Sequence, residues 1–163
     1  MTCDQYHASM RGPKTISEWM KLGDQSLKKL LKKAQSEPSV RRLLTSRKAW
    51  QVELQMVGGP AMVKLNRRYR GKAKLTDVLS FSAPEIFTQH GLLGELVVCV
   101  PVLKRQAREL GHSEVQELEV LLAHGLLHLL GLDHEKSAKE AARMAKFEAL
   151  LLRGSSGLIR RTG

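Results

Sequence analysis

Between Ser113 and Gly131 the chain reads SEVQELEVLLAHGLLHLLG. Ser113 and Gln116 form a capping box, in which the serine side chain takes the N–H three residues on and the glutamine reaches back, so a helix starts here. Gly131 is placed to end it, because glycine adopts the left-handed conformation that closes a helix. The longest apolar stretch of the sequence, Val120 to Leu132, fills most of this segment and is broken by His124 and His128. A bilayer span needs about 20 apolar residues, so the stretch predicts a core helix and not a membrane segment.

At 163 residues the chain suits one domain with a real core. It is 42% hydrophobic and 26% charged, which excludes wholesale disorder, and only 4% aromatic, so the core is built from Leu, Val, Ala and Met. The 27 Lys and Arg against 16 Asp and Glu leave a net charge of +11, which favours polyanionic partners such as nucleic acid. Basicity alone is equally served by plain solubility. Two cysteines, Cys3 and Cys99, are too few for a disulfide framework or a thiolate zinc site, and Cys99 falls in an apolar strand pattern. The opening MTCDQYHASMRGPK has no apolar signal core, so a cytoplasmic, soluble protein with no membrane association is expected.

Residues 1–14 show no periodicity and read as a loose tail. Thr15 and Glu18 then cap a helix with Ile16, Trp19, Met20, Leu27, Leu30 and Leu31 at helical spacing and lysines 21, 28, 29, 32 and 33 largely opposite. Val52, Leu54 and Met56 alternate with Glu53 and Gln55 as in a half-buried strand. Gly58-Gly59-Pro60 predicts a turn, after which Met62, Leu65 and Tyr69 share one helical face. Val78 to Phe81 and Leu96 to Val100 read as strands, with Ser82 to Gly91 a loop between them. Pro101 opens a helix striped by Leu103, Ala107 and Leu110 and ended by Gly111. Ser137 and Glu140 open a last helix with Met144, Phe147 and Leu151 inward. The expectation is a single domain over 15–153, followed by a basic tail over 154–163 that carries Arg160 and Arg161. Its fold class is α+β, a small mixed β-sheet packed against several α-helices, with a metal site on a central helix and the turn after it.

The histidines give that site its form. Residues four apart on a helix differ by only about 40° around the axis, so His124 and His128 project side by side as two nitrogen ligands. His134 would point roughly 80° away on a continuing helix. With the helix ended at Gly131 the chain can double back, and His134 closes a three-nitrogen cup whose fourth position stays open, as in catalytic zinc sites. Single histidines are more often structural, but this spacing with a helix stop inside it points to metal. Zinc peptidases share the spacing and carry a glutamate base after the first histidine, where this chain has Gly125. A metallopeptidase-like hydrolase therefore ranks second.

Upstream stands LNRRYRGKAKLTDVLSF, residues 65–81, in which Arg67, Arg68, Arg70, Lys72 and Lys74 gather five cations. Guanidinium groups match phosphate oxygens bidentately, so beside a metal centre this patch suits a phosphodiester. Taken with LGELVVC and HGLLHLLGLDH, the stretch closely resembles the YbeY family of bacterial endoribonucleases, from about residue 50 to about residue 150. The chain departs from the family in Leu132, where tyrosine is common, and in Glu95, where aspartate is common; none of these departures removes a presumed ligand.

The resemblance implies an α+β fold, one Zn2+ per chain held by His124, His128 and His134, and roles in activity for Arg70 and His124. It implies a single-strand-specific endoribonuclease that matures the 3′ end of 16S rRNA and serves ribosome quality control. The implied partners are ribosomal RNA precursors, ribosomal proteins and the GTPase Era. Arg70 would stabilise charge on the phosphate, and Arg67, Arg68, Lys72 and Lys74 would hold the RNA backbone without reading its sequence. Asp133 either orients a ligand histidine or shapes the turn. Water activated by the metal and the RNA's own 2′-hydroxyl both qualify as nucleophile. A non-catalytic ribosome-assembly factor is the remaining alternative.

Overall fold

The computed structural model describes residues 12–154; apart from residues 12–14 and Gly154, the two expected tails lie outside them. Helix α1 (Ile16–Ser36) opens on the expected box, with the Glu18 N–H donating to Thr15 Oγ1 at 3.2 Å and the Thr15 N–H donating to Glu18 at 3.0 Å. It buries Trp19, Leu27, Leu30 and Leu31, whereas Ile16 in its first turn is exposed. A one-turn helix α2 (Pro38–Arg41) follows.

Three strands, β1 (Gln51–Val57), β2 (Val78–Ser82) and β3 (Leu92–Cys99), form a mixed sheet in the order β1-β3-β2. β1 runs parallel to β3 and β2 antiparallel to it. The central strand is covered on both faces. Leu96 and Val98 join the larger core with α1 and with α6 (Glu114–Leu129). Val97 and Cys99 join a smaller core with Met62 of α3 (Gly59–Arg70) and Val102 of α5 (Val100–Leu110). A strand buried on both faces needs no alternation, so LVVC reads as an unbroken apolar run.

Several boundaries differ from the sequence expectation. β3 starts at Leu92 rather than Leu96, and Val100 already belongs to α5. No separate turn forms at Gly58-Gly59-Pro60: Gly58 caps α3 directly and Pro60 sits in its first turn, where its missing N–H costs nothing. The expected loop 82–91 carries a single helical turn, α4 (Glu85–Thr88). Leu110 and Tyr69, expected inward, are exposed because each lies at a helix end beyond the packed layer. The last helix, α7 (Ala138–Leu151), is capped by Ser137 and buries Met144, Phe147 and Leu151 as expected.

The early start of β3 depends on Gly94. Gln51 pairs with Leu92 and Val52 with Gly94, so β3 carries one extra residue as a bulge. Gly94 has φ +149°, and a Cβ there would stand 2.1 Å from the Phe81 carbonyl oxygen of β2. Gly94→Ala should therefore destabilise the fold by about 2 kcal/mol or more. The check is urea unfolding, and an unchanged midpoint would contradict this close approach of the strands.

Candidate metal centre

The end of α6 builds the site. The Gly131 N–H donates to the His128 carbonyl and the Leu132 N–H to the Leu127 carbonyl, both at 3.0 Å, with Gly131 at φ +92°. This is a Schellman closure, and Leu132 anchors it by packing into the core that also holds Leu127. The chain reverses, and the Glu135 N–H donates to Asp133 Oδ1 at 2.9 Å, an Asx turn that shapes the returning segment. His134 is thereby brought beside the two helical histidines.

The three rings form one cluster, with centroids separated by 4.7 Å (His124–His128), 5.1 Å (His124–His134) and 5.3 Å (His128–His134). One nitrogen from each lies within 4.8 Å of the others, and Nε2 of His124 and His128 stand 3.1 Å apart. Around tetrahedral zinc, with Zn–N near 2.0–2.1 Å, ligand nitrogens sit roughly 3.3–3.4 Å apart. The separations are within a side-chain rotation of that value, so the triad could hold a metal ion. His124 and His128 are half-buried and His134 is exposed, which leaves one side of the cluster open.

His124 Nδ1 lies 2.6 Å from Glu148 Oε1 of α7. A carboxylate in that position accepts the Nδ1 proton, which selects the tautomer whose Nε2 lone pair is turned to the cluster. Burial pushes the His128 imidazole below its ordinary pKa; His124, His134 and Arg70 add to this against the opposing charge of Asp133. His128 therefore stays neutral near pH 7, the form that binds a metal.

Arg70, Asp133, His124, His128 and His134 all line one cleft of about 340 Å³. Its other walls are Thr76 and Asp77 from the loop before β2, Val78 and Ser80 from β2, and Glu135. Arg70 reaches it from the last turn of α3. Asp77 is held by its neighbours: Oδ1 accepts the Val78 N–H at 2.7 Å and Oδ2 accepts from Gln106 Nε2 at 3.2 Å. Arg67, Arg68, Lys72 and Lys74 do not line the cleft; they are exposed on the end of α3 and on the loop that follows. Buried Asn66 ties that loop down, donating from Nδ2 to the Lys74 carbonyl at 2.9 Å and accepting the Lys72 N–H on its own carbonyl at 3.3 Å.

Position 125, where the peptidases place their base, faces the sheet. A Cβ there would meet Leu96 Cδ2 at 2.7 Å, so a side chain at this point would drive into β3 and not into the cleft. Glu148 is the carboxylate that sequence reasoning missed. Its signal was present, because position 148 falls in the α7 stripe with Met144, Phe147 and Leu151, a place for a core residue and not for a charge. Asp133 has its hydrogen bond within the turn, and its influence on the cluster is electrostatic.

Known proteins are similar to this chain in sequence and in fold. It is 43% identical over 155 residues to Endoribonuclease YbeY of Bdellovibrio bacteriovorus, covering 92% of this chain and 93% of that one. It is 46% identical over 89 residues to Endoribonuclease YbeY of Aquifex aeolicus, covering 55% and 59%. A solution structure of a Thermotoga maritima protein superposes with a TM-score of 0.51 at 25% identity, covering 87% of each chain. The family model described as Endoribonuclease YbeY matches residues 14–155, nearly all that the structure describes, and the chain belongs to that family.

Proposed function

We propose that this chain is a metal-dependent, single-strand-specific endoribonuclease of ribosomal RNA maturation, with residues 15–153 as its one catalytic domain. The observation that carries the reading is the cleft lined by both Arg70 and the histidine triad: a phosphate-matching guanidinium in one cleft with a cluster of nitrogens that could hold a metal. Membership of a family whose curated members are named endoribonucleases supports it independently. By the same family likeness the RNA is a ribosomal precursor, with the 3′ end of 16S rRNA as the processing site. Ribosomal proteins and the GTPase Era are the protein partners, and the cytoplasm is the place of action. Among the described residues no helix is long and apolar enough to cross a membrane.

In this reading His124, His128 and His134 hold one Zn2+, which supplies Lewis-acid polarisation of a phosphoryl oxygen when bound. Glu148 fixes the tautomer and orientation of His124, and burial keeps His128 unprotonated. Arg70, exposed on the facing wall, binds the non-bridging phosphate oxygens and balances the negative charge that grows on them in the transition state. The hydroxyls of Thr76 and Ser80 and the carboxylate of Asp77 complete the polar wall around the scissile group. Arg67, Arg68, Lys72 and Lys74 steer the backbone from outside the cleft.

Purified wild type should carry about one metal ion per chain and cut unstructured RNA. Arg70→Ala should keep the metal while cleavage falls about 100- to 1000-fold, the usual loss for one preorganised donor. His124→Ala should lose both. RNA left intact by the metal-loaded wild type, or full cleavage by His124→Ala, would overturn the reading, and peptide cleavage in its place would revive the peptidase. Glu148→Ala should weaken metal binding about 10- to 100-fold in competition with a chelator. Unchanged affinity there would remove Glu148 from the site.

A further inference from the structure

Tyr69 was expected in the α3 core stripe and is instead 56% exposed. In a chain with few Phe, Tyr and Trp, Trp19, Trp50 and Phe147 are buried; of these three residue types among the described residues, only Tyr69 and Phe87 are exposed. A single exposed ring is ordinary, but the surroundings of this one are not. Phe81 supports it edge-on, with centroids 5.1 Å apart and planes at 62°. The Arg68 guanidinium lies over the ring, 5.3 Å from its centroid. Arg67, Lys72 and Lys74 are exposed on the same helix end and on the loop that follows it.

Its place relative to the cleft is fixed on two elements. Arg70, the next residue of α3, lines the cleft. On β2, Ser80 lines the cleft and Phe81, pointing to the opposite face, carries Tyr69. The ring therefore stands one residue away from the cleft on each element, around the free edge of β2. Aromatic faces flanked by cations are the surfaces on which unpaired bases stack, while a duplex keeps its bases inside.

We propose that the Tyr69 ring is the stacking platform for one base of an unpaired RNA strand whose adjoining phosphate lies at Arg70, an inference that rests on the endoribonuclease reading above. The guanidinium of Arg68 marks the face the base takes, and the displaced arginine then serves a phosphate. This gives the cleft a selection for single strands that needs no contact to base edges.

The test is fluorescence anisotropy with short 2′-O-methyl single-stranded oligonucleotides, intact or with one abasic position moved along the strand. Tyr69→Leu keeps an apolar side chain against Phe81 and removes the stack; Tyr69→Phe keeps both. Thermal melting and metal content confirm that each variant is folded and loaded. Wild type and Tyr69→Phe should lose roughly 5- to 100-fold in affinity when the abasic position reaches the platform. Tyr69→Leu should bind the intact strand that much more weakly and be indifferent to the abasic position. Equal abasic losses in wild type and Tyr69→Leu would overturn the stacking role and leave the endoribonuclease reading standing. No binding of the intact strand by wild type would overturn both.

Discussion

Position 125 carries no side chain, and α6 lies so near Leu96 of β3 that one added carbon would come to 2.7 Å from it. That approach presses a helix with leucines on most of its surface against the central strand, and it sets which way the remaining residues point. Leu121, Leu122 and Leu126 go into the core, while His124 and His128 are left on the side that opens to the cleft. A helix held less closely would leave room for a side chain at 125 but would carry its histidines away from Arg70 and β2. The same feature bears on position 125 itself: the residue after the first histidine faces the sheet, so it has no route to a base role.

Charge in the molecule is divided between two scales. The chain as a whole has an excess of +11, and its cations are dense at the end of α3 and in the loop behind it. The cleft, by contrast, has Asp77, Asp133 and Glu135 in its walls, and Glu148 stands behind His124. A local group of carboxylates next to imidazoles suits a cation, and a broad positive surface suits a polyanion drawn toward it. Arg70 is the cation in the cleft walls, and its charge acts with burial to lower the pKa of His128. An anionic group entering there meets the Arg70 guanidinium on one side and would meet a metal ion held by the histidines on the other.

What the sequence shows of this arrangement follows from how local each device is. The capping boxes at Thr15–Glu18 and Ser113–Gln116 and the glycine stop at Gly131 use residues within a few positions, and each forms as the pattern predicts. The histidine spacing is equally local, since a helix turn and one reversal bring the three rings together. Glu148 comes from another helix, 24 residues from its partner, and only its anomalous place in an apolar stripe hints at it. Tyr69 obeys the stripe of Met62 and Leu65 but lies where α3 has run past the layer it packs on, a limit that periodicity does not contain. The start of β3 was hidden because a bulge at Gly94 breaks the pattern on which strand reading depends.

The register of β2 joins these parts. Leu79 faces the smaller core and pairs with Val97, while Ser80 faces the cleft and pairs with Leu96, the residue that meets α6. A slip by one residue would turn Leu79 and Phe81 into the cleft and carry Ser80 and Val78 to the α3 side, since side chains alternate strictly along a strand. An edge strand with one free side is prone to such slips. Two contacts oppose it here: the Cys99 N–H donates to the Asp77 carbonyl at 2.8 Å at one end, and Gly94 admits the Phe81 carbonyl at the other. Both are backbone constraints outside the histidine cluster, yet they decide that a serine and not a phenylalanine faces the histidines. The metal-binding potential of the site belongs to α6 and its turn; the polar wall opposite, and with it the room for a phosphate beside Arg70, belongs to the pairing of β2 with β3.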